Sequence, residues 1–597
     1  MSRAFLGVEH SMLGRAWRDR LAVAEAVQAD AIRQTLGLSD LLSRVVAARG
    51  QTAASAPGFL APSLRDAMPD PNDLSGMEAA VERLAGAVVA GEAVAIFGDY
   101  DVDGACSAAL LSDYLTAAGL RPAIHIPDRI LEGYGPNIPA IQALKRAGAD
   151  LLVTVDCGTT SIEPLEEARR LGLDCVVIDH HQAPLDLPPA QAIVNPNRQD
   201  DLSGLGHLCA AGVVFMVLVA LHRDLRARGF WAGKPMPDLL AALDLVALAT
   251  VADVVPLVGL NRAFVAKGLA VMRLRARPGL AALFDIAGTE GPPTAFHLGF
   301  LVGPRINAGG RIGDAALGAR LLLTRDPLDA RRIAEQLDQL NRERRSIEAS
   351  ASEEAEAAAF ALAETTDAPA YAALVTSGAG WHPGVVGLVA SRLRERYERP
   401  AFAISLDGLV GTGSGRSIPG VDLGRMVRAA VETGLLIKGG GHAMAAGITI
   451  EAARIDAFRL FLHEQMGDAV ARSRAASALE IDAALSAAAA SIDTIESIET
   501  AGPFGSGNPE PVFAFPNHRL TSVVPVGTDH LRLTAAGPDG TRLSGIAFRA
   551  ASSPLGVELR AQQGRLVHLA GTLTVSRWGG SGRAELRVMD AAVPEQR

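Results

Sequence analysis

The sequence predicts an α/β protein with three parts: a lobe built on a mainly parallel sheet, a smaller α/β lobe beyond a long helix, and a C-terminal β-barrel. Three observations carry this. From Val94 to Ile178, short apolar runs that end in aspartate alternate with amphipathic segments, which is the βαβ pattern. From Leu328 to Ala363 the chain reads as one charged helix, polar nearly all round, as a helix bridging two domains would be. From Pro511 to Ala592 it turns to short alternating strands with few helix signals.

The 597 residues allow three or four domains at ~150 residues each. The expected division is an N-terminal helical region over 1–75, a catalytic lobe over 76–320, the connecting helix over 321–365, a second lobe over 366–470, and a linker with the barrel over 471–597. Apolar residues make up 49%, enough for a large core, and the net charge of -10 excludes a simple basic nucleic-acid binder. A polyanion site must be a local patch or be built around metal ions. The four cysteines include no C-x-x-C pair, so neither a zinc ribbon nor a thioredoxin motif is supported, and their scarcity fits a reducing cytoplasm. The N-terminus has no apolar leader, and the longest apolar run, Cys209 to Leu221, falls short of the ~20 residues that span a bilayer. A soluble cytoplasmic protein with no membrane segment is expected.

In order, residues 1 to about 75 read as amphipathic helices with a Pro-rich exit, followed by a helix over 76–90. The organising stretch is next. The strand Val94–Phe97 runs into Gly98-Asp99-Tyr100-Asp101-Val102-Asp103-Gly104, with a helix expected from Ala105 to Ala118. Residues two apart at a strand end point the same way, so Asp101 and Asp103 should project together into the crevice where open α/β sheets bind ligands. Repulsion between such carboxylates is relieved by a hard cation, magnesium or manganese. An acidic turn capping the next helix fits this motif equally well. Further strands are expected at Ala123–Ile126, at Leu151–Val155 before Asp156, and at Cys175–Ile178 before Asp179-His180-His181, with helices at Pro136–Ala147 and Ile162–Leu171. Leu239 to Val251 reads as a buried helix with Asp253 just past its end, Gly303 to Arg311 as a glycine-bearing segment, and 470–500 as Ala/Ser-rich and helical.

Three acid-tipped strand ends of one parallel sheet meet at one edge, with Asp253 behind them. Carboxylates with an imidazole suit two manganese or magnesium ions, with Asp156 in a position to bridge. Two cations about 3.5–4 Å apart clamp the attacking and leaving oxygens of a phosphoryl displacement. In-line attack by water then needs no Ser-His or Cys-His pair and implies no covalent intermediate.

In this order, G-D-Y-D-V-D-G, V-D-C-G-T and D-H-H resemble the DHH phosphoesterase superfamily. Within it the chain resembles the RecJ family through Gly7-Val8-Glu9, Met68-Pro69-Asp70-Pro71, Gly303 to Arg311, the Gly439 to Gly447 loop and Phe504-Gly505-Ser506-Gly507-Asn508-Pro509-Glu510-Pro511. The resemblance covers nearly the whole chain. It implies a two-lobed DHH core with a DHH-associated lobe and an OB-like barrel. It also implies a single-stranded-DNA-specific 5′→3′ exonuclease of DNA repair and recombination that releases 5′-mononucleotides. By motif it assigns Asp101, Asp103, Asp156, His180 and Asp253 as metal ligands, adds Asp99 to the first metal, and sets His181 beside the scissile phosphate. The pyrophosphatase branch carries a His four positions before the first Asp of the pair. Phe97 stands there in this chain, which speaks against that activity and leaves the first metal's full ligand set open.

Arg305, Arg311, His442 and Gly413-Ser414-Gly415-Arg416-Ser417 are polar groups in what read as glycine-rich turns, where backbone N–H groups and arginines bind phosphate; ordinary turn chemistry is the alternative for any one of them. The resemblance implies a pocket for the 5′-terminal phosphate between the lobes, which Arg129 would join. Trp381 to Gly387 precede a helix from Leu388 to Tyr397, and helix N-termini hold phosphate; His382 there could equally be a packing residue. In the barrel segment, arginines are interleaved with Phe513, Phe515, Phe548 and Trp578. Phe548 is expected in the core, and Trp578 beside Arg577 is the better residue for stacking on single strands. Single-stranded DNA is the expected partner, and a monomer the expected state; a single-strand-binding protein and a helicase are further candidates that no motif specifies. Two other readings compete, a DHH oligonucleotide phosphodiesterase (nano-RNase) and a non-catalytic DNA-binding DHH scaffold. The extra N- and C-terminal regions argue against the first and the intact acids against the second.

Overall fold

Five strands lie in one fully parallel sheet, in the order Ala123–His125, Val94–Gly98, Leu151–Val155, Asp174–Ile178 and Ala192–Val194. Alternate residues feed two faces. Ala95, Phe97, Leu152, Cys175 and Val177 join a core with Ile141 and Leu165 from the helices Ile138–Arg146 and Ile162–Arg170. The helices Met77–Ala90, Val102–Ala117 and Ala210–Ala227 belong to the same lobe. Both the last strand and the helix Ala210–Ala227 are additions to the expected pattern. The structure, a computed structural model, describes residues 4–364, 371–576 and 582–594.

A helix over Pro327–Glu364 follows, ~57 Å long at 1.5 Å per residue. It is less polar than the sequence suggests. Ala330, Ile333, Ala334, Leu337, Ala351, Ala355 and Ala359 form a buried stripe, and within it Arg344 pairs with Glu348, which also takes Arg392. The second lobe has a five-stranded sheet in the order Lys438–His442, Ala445–Glu451, Val410–Arg416, Ala401–Asp407, Leu374–Ala379; only the last pair is parallel. The glycine-rich stretches 413–416 and 439–442 are therefore strands, not turns. Gly303–Ile312 is likewise a helix, opened by Pro304 in its first turn.

These elements form one compact unit, residues 68–255 with 263–476; the other comprises 1–67, 256–262 and 477–597. In the second unit the N-terminal region is not purely helical. Its strand Ala16–Asp19 pairs in parallel with Ala478–Ile481, inside the stretch expected to be helix. Trp17 is buried, and its indole N–H donates to Asp590 Oδ2 at 3.2 Å. The strands Phe513–Val526, His530–Ala536, Arg542–Ala547, Arg583–Ala592 and Leu566–Ser576 pair in that order, and the first closes on the last, giving the expected five-stranded barrel of OB type. Phe513 and Phe515 fill its core. Phe548 does not: the strand stops at Ala547, and the ring stands 54% exposed against His530. Arg577 and Trp578 lie outside the described residues.

Asp482 ties this unit together. Buried, it accepts from Arg20 Nε at 3.1 Å, Arg49 Nη1 at 2.9 Å and Val512 N at 2.9 Å. Removing it leaves the buried Arg49 guanidinium without a carboxylate partner among the described residues, while Arg20 keeps only Glu480. Asp482→Ala is expected to cost about 3–5 kcal/mol, read as an earlier unfolding transition of this unit in calorimetry; an unchanged transition would disprove the assignment.

Candidate metal centre and terminal-phosphate site

The register of the parallel sheet builds the site. Gly98 is level with Val155, Val155 with Ile178, and Ile178 with Val194. The next residue on each strand is Asp99, Asp156, Asp179 and Asn195, so four polar side chains leave the carboxyl edge in one row. The helix after Asp99 begins at Val102, three residues earlier than expected. Asp101 caps it, Oδ1 accepting from Asp103 N at 2.9 Å and Gly104 N at 3.1 Å. Asp101 and Asp103 are thus not alternate residues of a strand end. Asp103 sits in the first helical turn, where its carboxylate accepts from Ala210 N at 2.7 Å and Ala211 N at 2.8 Å, the N-terminus of the helix Ala210–Ala227. Helix amides so aimed stabilise a buried anion.

His180 faces these acids. Its Nδ1 lies 3.1 Å from the Leu208 carbonyl and acts there as donor, which leaves the Nε2 lone pair free. Nε2 is 3.3 Å from Asp156 Oδ1 and 3.7 Å from both Asp103 Oδ2 and Asp253 Oδ2. Asp253 caps the C-terminal end of the helix Leu243–Ala252. Ligand atoms within 4.8 Å of one another fall into overlapping groups: Asp99, Asp101 and Asp156; Asp103, His180 and Asp253; and Asp156, His180 and His181. Asp156 belongs to the first and third and touches the second through His180.

Without a cation this arrangement is unfavourable. Burial, and then the neighbouring acids, hold the carboxyls of Asp99, Asp156 and Asp253 well above the usual carboxylate range. Asp103 is raised by burial, although His180 opposes it. Asp99 Oδ1 and Asp156 Oδ1 are buried and have no hydrogen-bond donor among the described residues. Asp156 also holds a left-handed backbone, φ 62°, costly for a residue with a side chain. Hard oxygen donors, orphaned oxygens and mutual repulsion are the donor chemistry that fits divalent cations such as manganese or magnesium.

Asp179 does different work. Its Oδ1 accepts from His180 N at 2.8 Å and His181 N at 3.2 Å, and lies 2.8 Å from His181 Nδ1; its Oδ2 accepts from Thr159 N at 3.1 Å. Burial would raise this carboxyl, yet the His181 hydrogen bond and charge bring it below the usual range. In return His181, which burial alone would lower, is pushed up to about 9 by Asp179. Asn195 donates to Thr159 Oγ1 and to the His181 carbonyl, both at 2.9 Å. Sequence reading counted Asp179 only as a third acid-tipped strand end, without its hold on His181, and placed neither Asn195 nor the amides of Ala210 and Ala211 in the site; the polar residue that follows the last apolar strand was the available signal for Asn195.

Of the phosphate-binding candidates, Arg129, Arg311, Arg416, Ser414 and His442 come together. Burial lowers Arg311 to about 10, helped by Arg129, Arg344 and Arg416. Arg416 is lowered by burial, then by Arg129. None of Arg129, Arg311 and Arg416 has a carboxylate ion pair among the described residues. Arg311 Nη1 donates to the Gly384 carbonyl at 3.0 Å, Arg416 Nη1 to Ser414 Oγ at 2.8 Å, and Arg129 stacks over Tyr100 at 4.9 Å. His442 is level with Ala445, which is level with Arg416 on the next strand; burial, then Arg416 and His181, lower its imidazole. Two glycines permit the packing. A Cβ on Gly310 would meet the Tyr100 carbonyl at 2.3 Å, and one on Gly387 would meet Arg416 Nη2 at 2.9 Å. Arg305 is spent otherwise: Nε donates to Asp338 Oδ1 at 2.9 Å and Nη1 to the Leu301 carbonyl at 2.6 Å. It is six residues from Arg311 on one helix, about 120° round the axis. Trp381 is buried with its indole donating to Glu354 at 2.8 Å, as a packing residue, and His382 Nδ1 accepts from Gly384 N at 3.0 Å.

The sheet, the acid row and the second lobe define a DHH-family protein: residues 93–250 match the model of the DHH family N-terminal domain, and residues 369–468 match the DHHA1 domain. Residues 481–590 match the RecJ OB domain. The chain belongs to the RecJ family. It is 39% identical over 522 residues to the single-stranded-DNA-specific exonuclease RecJ of Dickeya dadantii, covering 86% of this chain and 89% of that one. It is 38% identical over 526 residues to the protein of that name from Escherichia coli, with the same coverage. The structure is similar to that of RecJ in complex with Mn2+ from Thermus thermophilus, with TM-score 0.78 and 29% identity over 97% of this chain and 80% of that one. No helix among the described residues is long and apolar enough to cross a membrane.

Proposed function

We propose that this chain is a single-stranded-DNA-specific exonuclease that hydrolyses phosphodiester bonds with two divalent cations, manganese or magnesium, working 5′→3′, releasing 5′-mononucleotides and serving DNA repair and recombination. One observation carries the reading: an acid row in which Asp156 is shared between ligand groups lies near an arginine cluster that has no carboxylate ion pair among the described residues, Arg129 acting on Asp99 and Arg311 on Asp101. Membership of a family whose curated relatives are named as single-stranded-DNA-specific exonucleases supports the substrate. RecJ structures with Mn2+ and with Mg2+ support the cations.

In this reading Asp99, Asp101 and Asp156 would hold one cation and Asp103, His180 and Asp253 the other, Asp156 lying within reach of both groups. The bound cations supply charge for the attacking and leaving oxygens and lower the pKa of water. The chain's own residues do the rest. The amides of Ala210 and Ala211 favour the ionised form of Asp103 against its burial, and the Leu208 carbonyl fixes the His180 tautomer. His181, kept protonated by Asp179, offers positive charge to the scissile phosphate. Arg129, Arg311, Arg416, Ser414 and His442 hold a terminal phosphate, so the enzyme reads an end and not an internal bond. The exposed Phe548 at the barrel, with Arg577 and Trp578 of the C-terminal segment as candidates from the sequence, would contact the strand. A cytoplasmic monomer working beside a single-strand-binding protein and a helicase is the proposed setting.

The test uses a long single strand labelled at either end, with protein stripped by chelator and given Mn2+ or Mg2+. Labelled mononucleotide should leave the 5′ end at once and the 3′ end only late, and chelator should reduce the rate at least ~1,000-fold. Release from the 3′ end first, or undiminished cleavage in chelator, would overturn the reading.

A further inference from the structure

Tyr134 belongs to no motif considered above, yet its hydroxyl lies 3.1 Å from the Asp156 carbonyl, to which it donates, and 3.1 Å from His181 Nδ1. The rings of Tyr134 and His181 meet edge to face, centroids 5.5 Å apart. Asp156 is the residue with the left-handed backbone, φ 62°. A strained conformation persists only where its surroundings over-determine it. Two hydrogen bonds do so here: Asp156 N donates to the Ile178 carbonyl at 3.0 Å, and the Asp156 carbonyl accepts from Tyr134. Without that acceptor bond one of the two backbone hydrogen bonds that hold the left-handed conformation is lost, and that conformation sets where the carboxylate entering two ligand groups starts from.

The segment that presents Tyr134 is itself built to stay put. Asp128 Oδ1 accepts from Ile130 N at 2.8 Å and Leu131 N at 2.9 Å. Glu132 accepts from Asp128 N at 2.9 Å, His125 Nε2 at 3.0 Å and Asn137 Nδ2 at 3.1 Å. The Asp156 carbonyl carries no proton, so the Tyr134 hydroxyl is the donor of that bond. Arg129 is on the same turn, among the phosphate-binding arginines.

We propose that Tyr134 is a positioning residue for the metal centre, its hydroxyl holding Asp156 in the left-handed conformation and fixing the His181 ring. This rests on the two-cation reading of the site. Groups that orient ligands without touching the metal typically govern metal affinity by about 10–100-fold. The test is Tyr134→Phe, which deletes one oxygen and keeps the ring. Mn2+ alone is titrated into wild type and variant without DNA, with free ion followed by electron paramagnetic resonance. The variant should bind Mn2+ about tenfold more weakly. In turnover its half-saturating Mn2+ should rise by a similar factor, while KM for a single strand at saturating Mn2+ changes less than about twofold. Should the variant melt early, the readout becomes the rise in melting temperature that Mn2+ gives each protein over its own metal-free value, since tighter binding stabilises more at a given ion concentration; the rise should be smaller for the variant. Equal Mn2+ affinity, or an equal rise, overturns the role of Tyr134 while leaving the two-cation reading intact. Absence of Mn2+ binding to wild type would overturn that reading itself, and this proposal with it.

Discussion

Asp156→Asn is expected to reduce exonuclease turnover at least ~1,000-fold, equivalent to about 4 kcal/mol of transition-state stabilisation, and to make the metal-free protein more stable. Both effects have one cause. Asp156 is buried, its Oδ1 has no hydrogen-bond donor among the described residues, and burial with Asp103, Asp101 and Asp99 raises its carboxyl. An amide there carries no charge to repel those neighbours, so the empty site relaxes. The same amide is a poor ligand for a hard cation, so the shared position fails for both. Asn is the right substitution because it tolerates φ 62° better than other side chains; Asp156→Ala would mix loss of the ligand with backbone strain. Asp99→Asn, which enters only one ligand group, should lose less activity. Turnover of Asp156→Asn within a few-fold of wild type at saturating Mn2+, or a lower melting temperature without metal, would refute this account of the acid row.

Much of this row was legible in the sequence because a parallel βαβ sheet repeats one local event. An apolar strand ends at Gly98, Val155 and Ile178, and an aspartate follows each time. The pattern needs no long-range information. What was not legible depends on partners far along the chain. Asp103 reads as a strand-end acid until the helix at Ala210 is brought against it, 107 residues on. Asp179 reads as one more acid of the row until the His181 ring is seen to take it. Residues 413–417 and 439–447 read as a turn and a loop because glycine is a poor strand former, yet the strands Val410–Arg416 and Lys438–His442 that run through them are held by neighbours on the sheet. Gly303–Ile312 hides its helix behind a proline and three glycines; two of them, Gly309 and Gly310, are there to let Asp314 and Tyr100 carbonyls approach. The strand Ala16–Asp19 finds its partner, Ala478–Ile481, near the other end of the chain. For that reason, deleting the chain beyond Gly502 is no clean removal of the barrel. Residues 1–67 and 477–597 fold as one unit, so point substitutions such as Phe548→Ala are the better probe of single-strand grip.

Removing two arginines should show what chooses the end. Arg311→Ala with Arg416→Ala is expected to lower kcat/KM on a 5′-phosphorylated strand by about 1,000-fold, from two charge-assisted bonds of roughly 1.5–3 kcal/mol each. On a 5′-hydroxyl strand the loss should be small, so that the preference between the two collapses toward one. The folded protein should tolerate the change. Arg311 is depressed by burial and by Arg129, Arg344 and Arg416, so neutralising two of these guanidiniums relieves repulsion where no carboxylate loses its partner. Arg416→Lys keeps the charge but not the planar fork that also reaches Ser414 Oγ and the Gly415 carbonyl, both at 2.8 Å. It should fall between wild type and Arg416→Ala. Arg305→Ala is the internal control. Its guanidinium is engaged by Asp338 and Leu301, so whatever it costs in stability, it should leave the ratio of phosphorylated to unphosphorylated cleavage at the wild-type value. If instead the double variant keeps that ratio and Arg305→Ala loses it, the terminal phosphate is held by the other face of the helix Gly303–Ile312, and the arginine cluster serves a phosphate further along the strand.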